Sequence, residues 1–277
     1  MMKRSGVRLT IERDFEILRF IWRWKVVPTD IIRNRFFPGC RIRTCFNRLS
    51  LLRRENYIDS VAVRDIPQNV WTLNRRGFNA IKEFLPPDCD KGWRSESPAH
   101  DVLALKLSLG DYLADSAADD AVFSEQELRT YSANVFPPWV PTAFRRRPDG
   151  YIKSVVGDQA RAMAIEIELT PKGVTDYESI GLDYAHYRGI DHVIWAVVSL
   201  KMARRLKAIF EKSPRDAQQI HSFLIAGDIH KLGWDSRIVL GGYQGHTVKQ
   251  MVMAHWTKPD IDLPQYPPSS PLDKVGY

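Results

Sequence analysis

In the stretch "LTIERDFEILRFIWRWK" the apolar residues Phe15, Leu18, Ile21 and Trp22 recur at helical steps, behind Thr10 as N-cap. Arg13 stands where a capping box would carry Glu. "VPTDIIRNRFF" predicts a second, short helix capped by Thr29 or Asp30, with Ile31, Ile32 and Phe36 inward. "PGCRIRTCFNRLSLLRREN" predicts a third, with Ile42, Cys45, Phe46, Leu49 and Leu52 on one side and Arg41, Arg43, Arg48, Arg53 and Arg54 on the other. Two short runs rich in Val, Ile, Tyr and Trp then flank Asp65, Pro67 and Asn69, the pattern of a hairpin. Asn74 caps a closing helix, "RRGFNAIKEFL". Three helices, a hairpin and a helix are the order of a winged helix-turn-helix, in which the third helix enters the major groove of DNA.

Residues 86–97 are polar and Pro-bearing without apolar period, and read as a linker. Beyond it "SPAHDVLALKLSLGDYLAD" predicts a helix with Ser97 as cap, Pro98 in the first turn, and Val102, Leu105, Leu109 and Leu113 inward. "AVFSEQELR", "RRRPDGYIKSVV" and "RAMAIEIELT" read as three strands. A helix "DYESIGLDYAHYRG", a strand "HVIWAVVS", a helix "KMARRLKAIFEK" and a strand "QIHSFLIAGD" follow. The unbroken apolar run over 193–198 predicts a strand covered on both faces, as in an α/β layer. The fold class expected is α+β with two units: a winged helix over 1–85 and an α/β unit over 98–256, followed by a Pro-rich tail over 257–277.

Charge sharpens the picture more than composition does. Residues 1–85 hold 18 Lys and Arg against 8 Asp and Glu, a net +10, so the remainder of a chain carrying +7 stands at −3. A basic N-terminal third on a near-neutral body marks a polyanion-binding surface, duplex DNA before an anionic membrane. Arg41, Arg43, Thr44, Asn47, Arg48 and Arg53 on the third helix, with Arg64 in the wing, are the DNA-binding candidates. Trp22 and Trp24 read as packing residues. At 44% hydrophobic and 26% charged the chain is that of a globular protein. No apolar run approaches the ~20 residues of a membrane span, and the opening residues lack the apolar core of a signal peptide. Cys40, Cys45 and Cys89 form neither a disulfide framework nor a zinc pair, which suits a reducing cytoplasm.

Candidate chemistry lies in "RRRPDGYIKSVVGDQARAMAIEIELTPK". Pro148-Asp149-Gly150 is compatible with a plain turn. Glu166 and Glu168, however, are two apart in a strand and share a face, with Ile165, Ile167 and Leu169 behind them. Two Glu on one strand face repel, and a cation between them would remove that cost. A hairpin can bring Asp149 beside Glu166. Hard divalent ions such as Mg²⁺ take one or two carboxylates with water and phosphate oxygens, so Mg²⁺ or Mn²⁺ is the cofactor expected. The histidines 186, 192, 221, 230, 246 and 255 show no ligand spacing. Tyr177, Tyr184 and Tyr187 read as packing, and Gly241, Gly242 and Gly245 as turns.

The Pro-Asp, spacer, acid-x-acid arrangement resembles the PD-(D/E)XK nuclease superfamily, whose core is a helix, an antiparallel three-stranded meander, a helix and a further strand. The match falls on Pro148, Asp149 and Glu166. The resemblance implies Asp149 and Glu166 as metal ligands and Asp149, Glu166 and Glu168 as the catalytic set. It departs at Glu168, where the superfamily usually carries Lys, although at least one restriction endonuclease has Glu there. Lys172, beyond Pro171, is the candidate to take over that role, and the candidates for the superfamily's first-helix acid are Asp101 and Asp111. The whole chain resembles the replication–relaxation family of plasmids and integrative elements, through "SEQEL", "RRPDGYI", "IEIELT" and the helix of Tyr184. That resemblance implies a DNA-binding protein of plasmid replication or mobilisation, with double-stranded DNA, a second copy of the chain, and a relaxase or replication protein as expected partners. A winged-helix regulator or accessory factor with a catalytically silent second unit is the alternative.

Overall fold

The computed structural model describes residues 9–63, 66–86, 89, 92, 94–110, 120–156, 159–212 and 220–256. Among them the chain is an α+β protein with ten α-helices and two sheets. No helix among these residues is long and apolar enough to cross a membrane. Arg64, Asp65, Asp111, Leu113 and the Pro-rich tail lie outside the described residues.

The N-terminal part runs α1 (Glu16–Trp24), β1 (Val26–Pro28), α2 (Thr29–Phe36), α3 (Ile42–Arg54), β2 (Ile58–Val61), β3 (Val70–Leu73) and α4 (Arg75–Ile81). The expected hairpin is β2 and β3, paired antiparallel from Ile58 opposite Leu73 to Val61 opposite Val70. The strand β1, absent from the sequence reading, adds to the far side of β3 and gives the order β1-β3-β2. Trp22 and Trp24 are buried, as expected. Thr10 does not cap through its side chain. Its amide and hydroxyl instead donate to Asp14 Oδ2 at 2.7 and 2.8 Å, across a π-helical turn, Ile11–Phe15, that precedes α1.

Helix α3 corrects the expectation in two ways. Its inward stripe is Cys45, Leu49 and Leu52, each fully buried, whereas Ile42 and Phe46 are 49% and 42% exposed. A helix face of this width holds one apolar stripe, and the step from 45 to 49 to 52 takes it. Arg48 is not on the outer face either. Its Nε donates to Asp14 Oδ1 at 2.9 Å and its Nη2 to Asp14 Oδ2, which ties α3 to the start of α1. Asp14 is wholly buried, so the pair is a structural staple.

The second part begins with α5 (Pro98–Leu109), followed by β4 (Val122–Ser124), α6 (Glu125–Thr130), β5 (Gly150–Val156), β6 (Gln159–Glu168), α7 (Val174–His186), β7 (Ile190–Val197), α8 (Leu200–Phe210), β8 (His221–Ile225), α9 (Ala226–Leu232), β9 (Leu240–Gly241) and α10 (Val248–Trp256). The strands form one sheet in the order β4-β5-β6-β7-β8-β9. β4, β5 and β6 make an antiparallel meander, and β6, β7 and β8 are parallel. The run "AVFSEQELR" is not one strand. Ser124 Oγ accepts from the Glu127 amide, and the Glu127 carboxylate accepts from the Ser124 amide, a capping box that converts the segment to α6 after three residues.

β7 is covered on both faces, as its apolar run predicts. Ile194 and Ala196 belong to the core shared with α5, while Val193, Trp195 and Val197 face α7 and α8. Helix α5 is buried nearly all round, because it lies between the two sheets. Val102 packs with Val26, Val63 and Val70 of the N-terminal part, and Leu103, Leu105 and Leu107 enter the core under the large sheet. One apolar core therefore runs from Ile17 to Val252, across the stretch 86–97.

Candidate functional site

Pro148-Asp149-Gly150 does not reverse the chain; it leads into β5. The Asp149 amide donates to Ile165 O at 2.9 Å, and Asp149 O accepts from the Glu125 amide at 3.1 Å, so its backbone is held from both sides. Gly150 is paired with Ile165. A Cβ there would lie 3.0 Å from Ser108 Oγ and 3.1 Å from Phe123 O, so any larger residue would push on α5 and β4 by a few tenths of an ångström. Asp149 Oδ2 also accepts from the Ile167 amide at 2.6 Å, which fixes the carboxylate beside Glu166.

Asp149, Glu166, Ile167 and Lys172 line one open cleft of about 440 Å³ together with His100, Ile180 and Arg145 to Arg147. Burial, with the Asp149 charge added, pushes Glu166 up to about 8, against the opposing effect of a hydroxyl donated by Tyr184 at 2.5 Å. Tyr184 is thus more than packing. So is Tyr177, whose hydroxyl accepts from the Lys172 amide at 2.9 Å.

Glu168 is nearly buried, and Lys172 Nζ donates to its Oε2 at 2.5 Å. The loop after β6 thus brings the Lys172 ammonium back onto the strand at Glu168. Burial would lower Lys172, but the Glu168 carboxylate outweighs it and holds the ammonium above its ordinary range.

His100 is the residue that sequence reasoning missed. It sits in the first turn of α5, with Nδ1 3.3 Å from Asp101 Oδ1 and Nε2 3.3 Å from Asp149 Oδ1. Burial alone would lower the imidazole, yet hydrogen bonds to both carboxylates raise it to about 10. An imidazolium therefore faces Asp149. The only signal in the chain was a His in the first turn of a helix whose Asp neighbour was already a candidate.

The donor set fits a divalent ion of limited kind. Among the described residues no group of three His, Cys, Asp or Glu side chains is placed to hold a metal. A pair in which the Asp149 charge helps to raise the proton affinity of Glu166 suits a hard ion that keeps most of its water. Asp149 and Glu166 would hold it; Glu168, committed to Lys172, would not.

The DNA-binding candidates divide. Arg41, Arg43, Thr44 and Asn47 are exposed on the outer side of α3, beside Phe46. Arg53 is exposed and meets Asp59 of β2 at 3.2 Å. Arg48 is removed from the outer face by Asp14, and Arg64 lies outside the described residues. No protein-family model matches this chain, and no curated protein or solved structure with which it was compared is similar to it.

Proposed function

We propose that this chain is a DNA-binding protein of the replication–relaxation type, whose second unit is a nuclease-like core that cleaves phosphodiesters with Mg²⁺ or Mn²⁺. The observation that carries the reading is the meeting of Asp149 and Glu166 in one cleft with Lys172 and three consecutive arginines. The element order α5, β4-β5-β6 meander, α7, β7 supports the nuclease-like assignment. The helices α1 to α3 and the sheet β1-β3-β2 support a winged helix in the N-terminal part. A divalent ion at Asp149 and Glu166 would activate water and stabilise a departing oxygen. The arginines would hold the phosphate, and the Lys172 ammonium would offset charge beside it.

One observation favours a second reading, a non-catalytic regulator or mobilisation accessory factor. His100 against Asp149 and Lys172 against Glu168 already neutralise two of the three carboxylates within the fold.

Thermal melts and a nicking assay separate the two. In the nuclease reading Mg²⁺ or Mn²⁺ stabilises the wild type, by about 2.7 kcal/mol at 100 times its dissociation constant. Asp149→Asn with Glu166→Gln gives a protein indifferent to metal and about 100-fold or more slower at nicking supercoiled DNA. A wild type that ignores millimolar metal and leaves supercoiled DNA intact establishes the scaffold reading instead.

Duplex binding is tested at α3. Arg41→Ala with Arg43→Ala should weaken duplex affinity and lower the slope of log K against log salt by about 1 for each phosphate no longer neutralised. An unchanged affinity and slope would move DNA recognition off this helix.

A further inference from the structure

A second cleft, of about 310 Å³, adjoins the acidic one and shares Arg145, Arg146 and Arg147 with it. Half of its remaining wall is aromatic: the partly exposed Tyr131 and Phe136, and the buried Phe144 and Tyr151. Phe136 is half-buried, with its ring 5.8 Å from Tyr131, and Phe144 lies 5.1 Å from Tyr184, the residue that donates to Glu166. Arg146 is held by Asp183 and Ser179 of α7, whereas Arg145 and Arg147 are exposed with no side-chain bond among the described residues. Tyr151 is 2% exposed, and its hydroxyl has no hydrogen-bond partner among the described residues.

The Tyr151 hydroxyl is sealed below the cleft surface, so the exposed rings and guanidinium groups are what a ligand would meet. These groups state which chemistry. Flat apolar rings beside free guanidinium groups fit a base and its phosphate, the combination by which proteins hold single strands. In a continuous duplex the faces of the bases are stacked on one another and cannot enter such a cleft. The volume is at the lower end of the ~300–1,000 Å³ of ligand pockets.

We infer that the aromatic–arginine cleft takes an unpaired nucleotide, with its base on Tyr131 and Phe136 and its phosphate on Arg145 and Arg147, beside Asp149 and Glu166. The strand presented to the acidic cleft is then a single-stranded, frayed or branched one. Only its being a substrate rests on the cleavage reading above; the binding itself requires no metal.

Fluorescence anisotropy with the full chain in EDTA tests the binding, using labelled oligothymidine and a blunt duplex of equal length. Phe136→Leu keeps an apolar side chain but removes the ring face. It should weaken oligothymidine about 5- to 100-fold and leave duplex affinity unchanged. Arg145→Ala with Arg147→Ala, both surface changes that spare the fold, should weaken oligothymidine and lower its salt slope by about 1.4. If Phe136→Leu binds oligothymidine like the wild type, or weakens both probes equally, the cleft does not hold a base. A flapped and a blunt duplex incubated with Mg²⁺ then separate the two claims. Flap cutting that ignores Phe136→Leu but needs Asp149 removes the cleft and keeps the nuclease. Phe136-dependent oligothymidine binding with no DNA cut removes the nuclease and keeps the cleft.

Discussion

Arg23→Ala should destabilise the protein by about 3–5 kcal/mol, because it strips the partner from a carboxylate already buried between the two parts of the chain. Arg23 Nε donates to Glu127 Oε2 at 2.8 Å, and its Nη2 donates to Val122 O. The two residues are 8% and 6% exposed. Glu127 Oε2 also accepts from the Ser124 amide at 2.9 Å and the Ser124 hydroxyl at 3.0 Å, so one carboxylate caps α6 and anchors α1. Lys25 adds a second link between the same two helices' ends, reaching Glu125 Oε2 at 2.8 Å. Replacing both members, Arg23→Met with Glu127→Leu, should cost less than Arg23→Ala, since no bare charge is left; removal of the cap alone accounts for about 1 kcal/mol. Urea unfolding of the three proteins measures this. An Arg23→Ala midpoint within experimental error of wild type would show that the joint between the parts is held by the apolar core alone.

The second large effect belongs to Asp14. Asp14→Asn should cost about 3–5 kcal/mol near neutral pH, since it leaves the Arg48 guanidinium without its anion. Arg48→Lys cannot reproduce a two-oxygen grip and should fall between wild type and Asp14→Asn. Burial alone would raise the Asp14 carboxyl, but Arg48 and the two Thr10 donors outweigh it and hold it below its ordinary 3.8. A carboxylate depressed in the folded state adds stability above its unfolded pKa and loses it as pH falls through the folded one. The gap between wild type and Asp14→Asn should therefore be full above about pH 4 and close in more acidic solution. A gap that stays constant down to about pH 2 would mean that the charge of Asp14 does not stabilise the fold. Because Arg48 is committed to Asp14, Arg48→Ala should change stability far more than the salt dependence of DNA binding, the reverse of what is expected for Arg41 and Arg43.

Both ion pairs join residues that chain distance conceals, 104 positions apart for Arg23 and Glu127 and 34 for Arg48 and Asp14. What the sequence determined by itself is local. Period-two alternation placed Glu166 and Glu168 on one face of β6 with Ile165 and Ile167 behind them. The unbroken apolar run of β7 announced burial on both faces, and the β2–β3 hairpin followed from its strand residues and breakers. These features arise from backbone geometry, which repeats every two or about 3.6 residues and can be read in a short window. The same local logic failed where two local signals competed, as when the Ser124–Glu127 capping box ended β4 after three residues.

Only the tertiary structure decided which of the equivalent arginines on α3 would face solvent, because a buried carboxylate elsewhere in the chain selects one of them. It likewise decided the surroundings of the acidic pair. His100 reaches Asp149 from α5, Tyr184 reaches Glu166 from α7, and Lys172 folds back onto Glu168 from the loop after β6. Each of these contacts depends on how a helix or loop packs on the sheet. That packing is set by apolar burial over the whole core, and the charged groups that meet there are carried into place by it.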